Sequence, residues 1–378
     1  MPSASKYDFL IIGGGLFGAY SALYLAQKGY RSCIVEKENA LFRKASIVNQ
    51  ARLHGGYHYP RSIATARMSD DHRERFTEDH KAFVNFEFEQ YYAIDKFGSF
   101  TDAAQYERFC EFMNIRCERV REHPYFNFYR IEALYLTTEY SFDPVLIAHY
   151  YMDRLKAEPL IEVRMRQELL HAEVDAGQWR VALRDHEKGI DTEVCAPVVI
   201  NATYAGSNAV NRLFGAAEID LQHEICEMAF VASPMLERTG LTIMDGPFGS
   251  IMPYGKSGLL SVSSVPYTHH RVSFEAVPRF TCQTPETGCR PDYLADCNHC
   301  VNRPPTNYRK MLAQLREYFS DQVHWQYFFS WYTIKSKLQA SFIDDGRPTE
   351  ISHLKENPHF YCIFAGKINS IYEIEKII

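Results

Sequence analysis

The first 36 residues of the chain carry the strongest constraint on its fold. Residues 7–12 (YDFLII) form a short apolar run of β-prone side chains, three glycines follow, and residues 19–28 repeat apolar side chains at helical spacing. Residues 31–35 (RSCIV) form a second strand-like run that ends at Glu36. This order of strand, glycine turn, helix, strand and acid predicts a βαβ unit that binds a dinucleotide.

Each of these positions has a physical task in such a unit. Gly13 permits a tight turn, Gly15 lets the backbone approach a pyrophosphate, and Gly18 lets the helix pack closely on the strand. Glu36 follows Gly18 by eighteen residues and is expected to accept hydrogen bonds from a ribose diol. Its carboxylate would repel a 2′-phosphate, so NADP is disfavoured, whereas the glycines do not decide between NAD and FAD.

The composition excludes several other classes of protein. The chain has 378 residues, a formal net charge of −6, 46% hydrophobic residues and 23% charged residues, which is typical of globular proteins and excludes disordered and fibrous ones. Because basic residues are not in excess, we expect no nucleic-acid partner. The glycines divide the apolar stretch at 9–26, so we expect neither a transmembrane segment nor a signal peptide, and we expect a cytoplasmic protein with reduced cysteines.

A segment after Glu36 carries a family resemblance. Lys37 follows the acid directly, and the run SIVNQARLHGGYHYP occupies residues 46–60. This run resembles the second flavin-contacting segment of the D-amino-acid-oxidase-like FAD-dependent oxidoreductases. It is most similar to their L-2-hydroxyglutarate and glycerol-3-phosphate dehydrogenase branches. The resemblance implies that the dinucleotide is FAD.

Later segments continue the resemblance in the same order along the chain. Asp143 and Pro144 predict a capped helix start, and residues 195–202 (CAPVVINA) are typical of a buried parallel strand. The turn at 201–206 is similar to the family's Asn-Ala-Ala-Gly turn, from which Tyr204 departs. The run at 345–348 resembles the family's Asp-Gly-x-Pro turn, and residues 361–378 predict a strand, a glycine and a helix.

The resemblance implies an α/β fold with two interleaved domains. A Rossmann-type FAD-binding domain is expected from residues 1–75, 140–215 and 340–378. An α+β substrate-binding domain on a mainly antiparallel sheet is expected from residues 76–139 and 216–339. The chain shows no repeat of 20–50 residues and no low-complexity linker, which agrees with interleaved rather than tandem domains.

The resemblance also implies which residues contact FAD. They are expected in the glycine turn, after the second strand, in the 46–60 run, at the 201–206 turn and near the C-terminal glycine. The predicted set is Gly13, Gly15, Leu16, Phe17, Gly18, Glu36, Lys37, Arg43, Ser46, Asn49, Gln50, Ala51, Leu53, His54, Leu169, Ala202, Gly206, Gly366, Lys367, Ile368 and Asn369.

Several side chains are candidates for chemistry beside the flavin. A base must titrate near neutrality and lie by the flavin, which favours His54 over His58 and Tyr59. Lys367 would add positive charge near the flavin, and its alternative role is that of an exposed lysine at a helix start. The predicted catalytic set is His54, His58, Tyr59, Arg347 and Lys367.

Arginines are the candidates for binding an anionic substrate. Arg52, Arg61 and Arg347 each offer a guanidinium that pairs with a carboxylate or phosphate, and the alternative for each is an ordinary surface ion pair. The family often lines its substrate pocket with tyrosines, and Tyr254 is a weaker candidate of this kind beside Tyr59.

Four cysteines crowd into one irregular segment. Cys282, Cys289, Cys297 and Cys300 lie within the loop at 278–305, with His299 inside the last C-x2-C pair. C-x2-C is half of a usual zinc site, but the C-x6-C spacing of the first pair is wider than usual. Both a structural zinc site and free thiols on a loop are therefore predicted as alternatives, and an iron–sulfur cluster is disfavoured.

These features predict an FAD-dependent oxidoreductase. We expect it to oxidise a CH–OH or CH–NH group of a small polar, possibly anionic, substrate such as a hydroxy acid, an amino acid or a sugar derivative. Oxygen, a quinone or another molecule is the electron acceptor, and the oligomeric state is left open. The alternatives are a flavin-dependent sugar mutase, whose usual Gly-Gly pair is missing after Glu36, and a non-catalytic escort-type protein of the same fold.

Overall fold

The computed structural model of the protein describes residues 5–70, 72–339 and 349–377, and it is a mixed α/β structure. Within these residues the strands are β1 Ser5–Lys6, β2 Phe9–Ile12, β3 Ser32–Val35, β4 Arg52–Leu53, β5 Val84–Asn85, β6 Glu89–Asp95, β7 Cys117–Val120, β8 Ile131–Thr137, β9 Tyr140–Phe142, β10 Ile161–Arg164, β11 Gln167–Asp175, β12 Gln178–Asp185, β13 Ile190–Ala196, β14 Val198–Asn201, β15 Leu221–Ala232, β16 Thr239–Met244, β17 Gly249–Pro253, β18 Leu260–Ser264, β19 His269–Ser273, β20 Gln326–Leu338, β21 Glu350–Glu356 and β22 His359–Phe364.

The described residues form fewer helices than strands. The α-helices are α1 Leu16–Gln27, α2 Ile63–Asp70, α3 Arg73–Asp79, α4 Ala103–Met113, α5 Pro144–Ala157, α6 Ser207–Leu213, α7 Val265–Thr268 and α8 Tyr308–Arg316. Five 3-10 helices complete the described elements: Lys81–Phe83, Tyr204–Gly206, Pro285–Thr287, Cys297–His299 and Ile368–Lys376. The C-terminal helix predicted after Gly366 is thus a 3-10 helix.

A six-stranded sheet forms the frame of the predicted dinucleotide site. Its order is β10-β3-β2-β14-β22-β21, and every neighbouring pair is parallel except β21–β22. The runs FLII, SCIV and VVIN are almost entirely buried, as expected for parallel strands covered on both faces. Because the strands are parallel, the carboxyl ends of β2, β3, β14 and β22 meet at one edge.

A nine-stranded sheet forms the second large layer. Its main path is β19-β15-β18-β17-β16-β6-β8-β7, and β20 pairs with β15 along twelve residue positions. All its pairs are antiparallel apart from β16–β6. Two smaller sheets, β1-β13-β12-β11 and β4-β9-β5, complete the fold. The strands of the six-stranded sheet fall within the three segments expected for the FAD-binding domain, and the domain boundaries themselves remain a prediction.

Local sequence signals explain where α5 begins. Asp143 accepts hydrogen bonds from the backbone N–H groups of Val145 and Leu146 at 3.1 and 3.0 Å, and Pro144 opens α5, as predicted. Helix α1, in contrast, begins after Gly15 with no side-chain cap at that residue.

No helix of the described ranges is both long and apolar enough to cross a membrane.

Replacing Gly18 by alanine is expected to lower the free energy of unfolding by about 3 kcal/mol. A β-carbon at this position would lie 2.0 Å from the carbonyl oxygen of Gly13, so α1 would have to move away from β2. Urea unfolding measures the change. Gly206→Ala is the matched control, because its β-carbon would meet only the side chain of Thr203, at 3.3 Å. Equal losses in the two variants would contradict the close-packing role of Gly18.

Candidate active site

One large cavity lies between the six-stranded and nine-stranded sheets. Its volume is about 1360 Å³, and it runs from the glycine turn and Glu36 to His54 and Lys367. Residues that follow β2, β3, β14 and β22 line one side, and residues of β15, β16, β17, β18 and β20 line the other. The edge where the parallel strands end therefore opens into the cavity, as is usual for ligand sites in α/β sheets.

The glycine turn is held by Glu36 and Ser46. Glu36 accepts a hydrogen bond from the Gly14 N–H at 2.7 Å, and the Leu16 N–H donates to Ser46 Oγ at 3.0 Å. Gly13 has a φ of +104°, which an L side chain rarely adopts. The start of α1, with its positive dipole end, thus borders the cavity beside a fixed carboxylate.

These residues fit an adenine dinucleotide. Gly15 has no side chain to occupy this part of the cavity. A β-carbon at this position would also lie only 3.0 Å from Ser46 Oγ. The helix start suits the phosphates and the Glu36 carboxylate suits a ribose hydroxyl. The predicted FAD contacts that line the cavity are Gly13, Gly15, Leu16, Phe17, Glu36, Lys37, Arg43, Ser46, Asn49, Gln50, His54, Leu169, Ala202, Gly206, Gly366, Lys367 and Ile368.

The other predicted FAD contacts do not line the cavity. Gly18 packs α1 against the glycine turn, and Leu53 is buried in the core beneath the six-stranded sheet. Ala51 is buried against Met228 and Phe230, and Asn369 is buried in the C-terminal 3-10 helix. These four residues have packing roles in the structure, and their contact with FAD remains a prediction.

Four of the predicted catalytic side chains come together at one end of the cavity. His54, His58, Tyr59 and Lys367 all line it, and the His54 ring centroid lies 6.4 Å from that of His58 and 6.2 Å from that of Tyr59. The Lys367 ammonium donates a hydrogen bond to the Tyr59 hydroxyl and lies 4.6 Å from its ring centroid. The fifth predicted residue, Arg347, lies outside the described residues.

Arg52 lines the cavity, and its guanidinium is bound by protein partners. It forms a buried ion pair with Glu139 at 3.1 Å and donates to the hydroxyls of Tyr92 and Thr242 at 2.8 and 2.7 Å. The other Glu139 oxygen accepts the Gly55 N–H at 3.2 Å. Arg52 therefore supports the backbone of the loop that follows His54.

The two remaining substrate-binding candidates also have structural partners. The Arg61 Nε lies 2.8 and 2.9 Å from the two carboxylate oxygens of Asp245 at the border of the cavity. Tyr254 is buried, donates to the carbonyl of Ile47 at 2.6 Å and packs on Phe230, away from the cavity lining. The weak prediction of Tyr254 as a pocket residue was wrong, because its apolar ring joins a core cluster.

A charged cluster on the cavity wall was not predicted from the sequence. Glu224 lies 3.3 Å from the Lys335 ammonium, 3.1 Å from the Lys337 ammonium and 3.0 Å from the His269 ring, in strands β15, β20 and β19. Cys226 is close enough to complete a possible metal-ligand set with Glu224 and His269. The Lys335 ammonium lies beside this set, 3.3 Å from His269 Nε2. Its positive charge would repel a metal cation, so the charges do not favour a metal there.

Burial and ion pairing both act on the ionisation of this cluster. Burial disfavours charge on the His269 ring, but Cys226 and Glu224 outweigh it and raise the pKa of His269 to about 9. Burial likewise opposes the Glu224 carboxylate, yet His269, Lys335 and Lys337 hold its pKa well below its usual range. At neutral pH His269 is therefore an imidazolium and Glu224 a carboxylate.

The turn after β14 differs from its expected form at Tyr204. This residue has a φ of +54°, which is uncommon for a side chain of its size. Its hydroxyl donates to the Ser336 carbonyl at 2.7 Å and accepts the Ser336 N–H at 3.0 Å, and its ring stacks on Phe364 at 5.6 Å. Tyr204 therefore ties the turn to β20, between the two cavity lysines.

The cysteine-rich loop does not support the predicted zinc site. Among the described residues, Cys282, Cys289, Cys297 and Cys300 do not gather as a group of three or more ligand atoms, whereas Glu224, Cys226 and His269 do. Cys282 packs in an apolar cluster with Cys289 and Cys297 against it. Burial and the neighbouring Cys289 raise the pKa of Cys297 to about 12. The alternative of free thiols agrees with this structure.

Comparison with known proteins identifies the family. Residues 8–336 match the family model described as DAO, FAD dependent oxidoreductase. The chain belongs to this family of FAD-dependent oxidoreductases. FAD is therefore the cofactor of its family, which confirms the resemblance and the FAD cofactor predicted from the glycine turn and the 46–60 run.

Similar proteins agree with the family assignment. The chain is 26% identical over 370 residues to the FAD-dependent monooxygenase FPY4 of Fusarium mangiferae, covering 96% of this chain and 87% of that one. Its fold is similar to that of glycine oxidase from Geobacillus kaustophilus, with a TM-score of 0.69, 15% identity and coverage of 98% and 92% of the two chains. It is equally similar to FAD-bound L-α-glycerophosphate oxidase from Mycoplasma pneumoniae, with a TM-score of 0.69, 14% identity and coverage of 98% and 93%. These structures confirm the mixed α/β fold class.

Proposed function

We propose that this protein oxidises a CH–OH or CH–NH group of a small substrate that carries an anionic group, with hydride transfer to FAD. The observation that carries the proposal is the continuity of the cavity. The same space is lined by the glycine turn and Glu36 at one end and by His54, Tyr59 and Lys367 at the other. A dinucleotide held at the first end would extend toward the histidine and the lysine at the second.

The side chains at the second end have separate roles in this proposal. When bound, FAD supplies the acceptor for the hydride. His54 accepts the proton of the substrate hydroxyl or amine, since an imidazole titrates near the working pH. The Lys367 ammonium, held beside the Tyr59 hydroxyl, adds positive charge that favours a developing negative charge nearby. The buried pair of Arg52 and Glu139 keeps the backbone after His54 in place.

The anionic group of the substrate is assigned to the charged wall. His269, Lys335 and Lys337 line the cavity, whereas the guanidiniums of Arg52 and Arg61 are engaged by Glu139 and Asp245. A carboxylate or phosphate is attracted by three cationic side chains on neighbouring strands. Glu224 orients these cations but carries only one negative charge.

Anaerobic reduction of the bound flavin tests the reaction. The FAD-loaded protein is mixed with a panel of hydroxy acids, amino acids and sugar acids, and the flavin absorption band is followed. Bleaching by a member of the panel in the absence of any other reductant is the expected result. A flavin that none of these compounds reduces contradicts the proposal.

The same experiment tests a second candidate function. The similarity to a protein named as an FAD-dependent monooxygenase favours an enzyme that reduces its flavin with a separate electron donor and then uses oxygen. A flavin that NADH or NADPH reduces, and that the substrate panel does not, supports this candidate instead. Neither the sugar mutase nor the escort-type alternative has an observation of this kind in its favour.

Anion binding to the charged wall is expected to weaken as pH rises through 9. His269 is charged below its pKa of about 9 and neutral above it, so the wall loses one positive charge between pH 7 and pH 10. Glu224 stays ionised over this range and Cys226 lies on the same wall. The affinity of the FAD-loaded protein for sulfate, measured by calorimetry, should fall roughly tenfold between pH 7 and pH 10.

Two variants test whether His269 causes this pH dependence. His269→Gln should bind sulfate weakly at both pH values, with most of the pH dependence lost. His171→Gln is the control, because His171 is an exposed residue of β11 that pairs only loosely with Glu173, at 3.7 Å. Identical pH profiles for the parent and His269→Gln would remove His269 from the anion site.

A further inference from the structure

The cysteine-rich loop at 278–305 forms a wall of the cavity. Within these residues the cavity is lined by Arg290, Asp292, Tyr293, Leu294, Ala295 and Cys297. The loop contains two short 3-10 turns, Pro285–Thr287 and Cys297–His299, and no strand among the described elements. It nevertheless has a defined position, because several side chains of other elements bind it.

Two lysines that follow Glu36 in the chain bind this loop at Leu294. The ammonium groups of Lys37 and Lys44 both donate to the carbonyl of Leu294, the latter at 2.7 Å. The Lys37 ammonium also lies 4.7 Å from the Tyr293 ring centroid. Since Lys37 follows Glu36 directly in the chain, the loop covers the end of the cavity where the ribose-binding acid lies.

Asn298 ties the loop to the nine-stranded sheet. Its side-chain amide donates to the Tyr332 carbonyl at 3.2 Å and its side-chain oxygen accepts the Tyr332 N–H at 2.7 Å. Arg43 adds an ion pair with Asp296 at 3.4 Å, and Arg290 donates to Glu168 at 3.0 Å. The loop is thus bound both to the nine-stranded sheet and to segments beside the six-stranded sheet.

The inner face of the loop is apolar. Phe280, Cys282 and Leu294 are buried in one cluster with Ile225, Tyr332 and Ile334 of the nine-stranded sheet. Cys289 and Cys297 pack against the same cluster, so the thiols that suggested a metal site contribute apolar surface instead. The loop therefore has its own small core, which allows it to present Tyr293 and Leu294 to the cavity.

We propose that residues 278–305 form a cap that binds the adenosine half of FAD. This inference rests on the proposed use of FAD and names the chain segment that encloses one half of it. The end of the cavity next to Glu36 is where a ribose is expected, so the adjoining adenine meets the loop. A flat, largely apolar base suits a surface made by Tyr293, Leu294 and Ala295.

The proposed cap has two consequences that can be measured in the 378-residue chain. First, loosening the loop should release FAD faster without any change at the His54 end of the cavity. Second, the adenosine half alone should order the loop, whereas FMN, which has no adenosine, should not. Both measurements report on the loop through binding or cleavage and do not depend on turnover.

Asn298→Ala tests the first consequence. It removes both hydrogen bonds to Tyr332 and is expected to increase the rate of FAD dissociation from the holoenzyme roughly tenfold, followed by the rise of flavin fluorescence on dilution. Asn302→Ala is the matched control, because Asn302 lies in the same loop and, among the described residues, its side chain bonds only to Thr284, at 3.0 Å. Equal dissociation rates for Asn298→Ala and the parent would overturn the cap.

Limited trypsin digestion of the parent chain tests the second consequence and needs no variant. Arg279 is exposed, and its bond to Phe280 is the tryptic site of the loop, because proline follows both Arg290 and Arg303 and blocks cleavage there. FAD and ADP are each expected to slow cleavage at Arg279 roughly tenfold relative to the apoprotein, and FMN is expected to leave it unchanged. Cleavage that is equally fast in FAD-loaded protein contradicts the cap while leaving the oxidoreductase function intact. A parent chain that retains no FAD contradicts the proposed function itself.

Discussion

His54→Ala is expected to slow reduction of the bound flavin by substrate by on the order of 10²-fold or more. His54 lines the cavity beside Tyr59 and precedes the backbone N–H that Glu139 holds. Without its imidazole, the substrate proton has no acceptor at that place. Stopped-flow measurement of flavin bleaching under anaerobic conditions gives the rate directly.

Two controls distinguish a base from a structural histidine. His171→Ala removes an exposed histidine of β11 that does not line the cavity, and it should leave the rate unchanged. His58→Ala removes the neighbouring ring and should cost less than His54→Ala. If His54→Ala reduces its flavin as fast as the parent, His54 is not the proton acceptor.

Glu139→Leu is expected to destabilise the protein by about 3–5 kcal/mol, because it leaves the guanidinium of Arg52 buried without its counter-ion. The side chains of Arg52 and Glu139 are 2% and 0% exposed, so water cannot replace the lost partner. The N–H of Gly55 also loses its acceptor. The free energy of unfolding in urea measures the effect.

A double variant separates this ionic effect from a defect of packing. Arg52→Met combined with Glu139→Leu replaces both charges by apolar side chains, and it should recover much of the lost stability. The double variant should still lose flavin-reduction rate, because Gly55 after His54 remains without its acceptor. A double variant that is less stable than Glu139→Leu would show that the pair does not act through its charges.

The elements that the sequence predicted correctly are those with local causes. The strand, glycine turn, helix and strand that end at Glu36 lie within 36 consecutive residues, and each is specified by its own side chains. The cap of α5 likewise depends on Asp143 and the three residues after it. For the same reason the glycine positions of the dinucleotide site could be assigned before the fold was known.

The residues that the sequence did not predict depend on pairing between distant strands. Lysines at alternate positions of β20 indicate one common face, and this was the available signal for Lys335 and Lys337. Their proximity to Glu224 and His269 follows only from the register of β15 with β20 and β19. In the same way, Arg52 offers a guanidinium in the sequence, and only the fold brings Glu139 to it.

The cysteine spacing shows a further limit of sequence patterns. A C-x2-C pair specifies how far apart two sulfur atoms can be, but not whether they turn toward a metal or toward a hydrophobic core. Here Cys282 packs in an apolar cluster with Ile225, Tyr332 and Ile334. The sheet beneath the loop supplies these partners, and the spacing of the cysteines does not reveal them.

The position of β14 has a consequence for the way the protein folds. It lies between β2 and β22, and its partner residue His359 in β22 follows Val198 by 161 positions along the chain. Pairings of such long sequence separation form slowly, because a large loop must close before they gain any contact. A fragment that stops before residue 359 leaves one side of β14 exposed as an unpaired edge, and we expect it to aggregate rather than acquire cofactor.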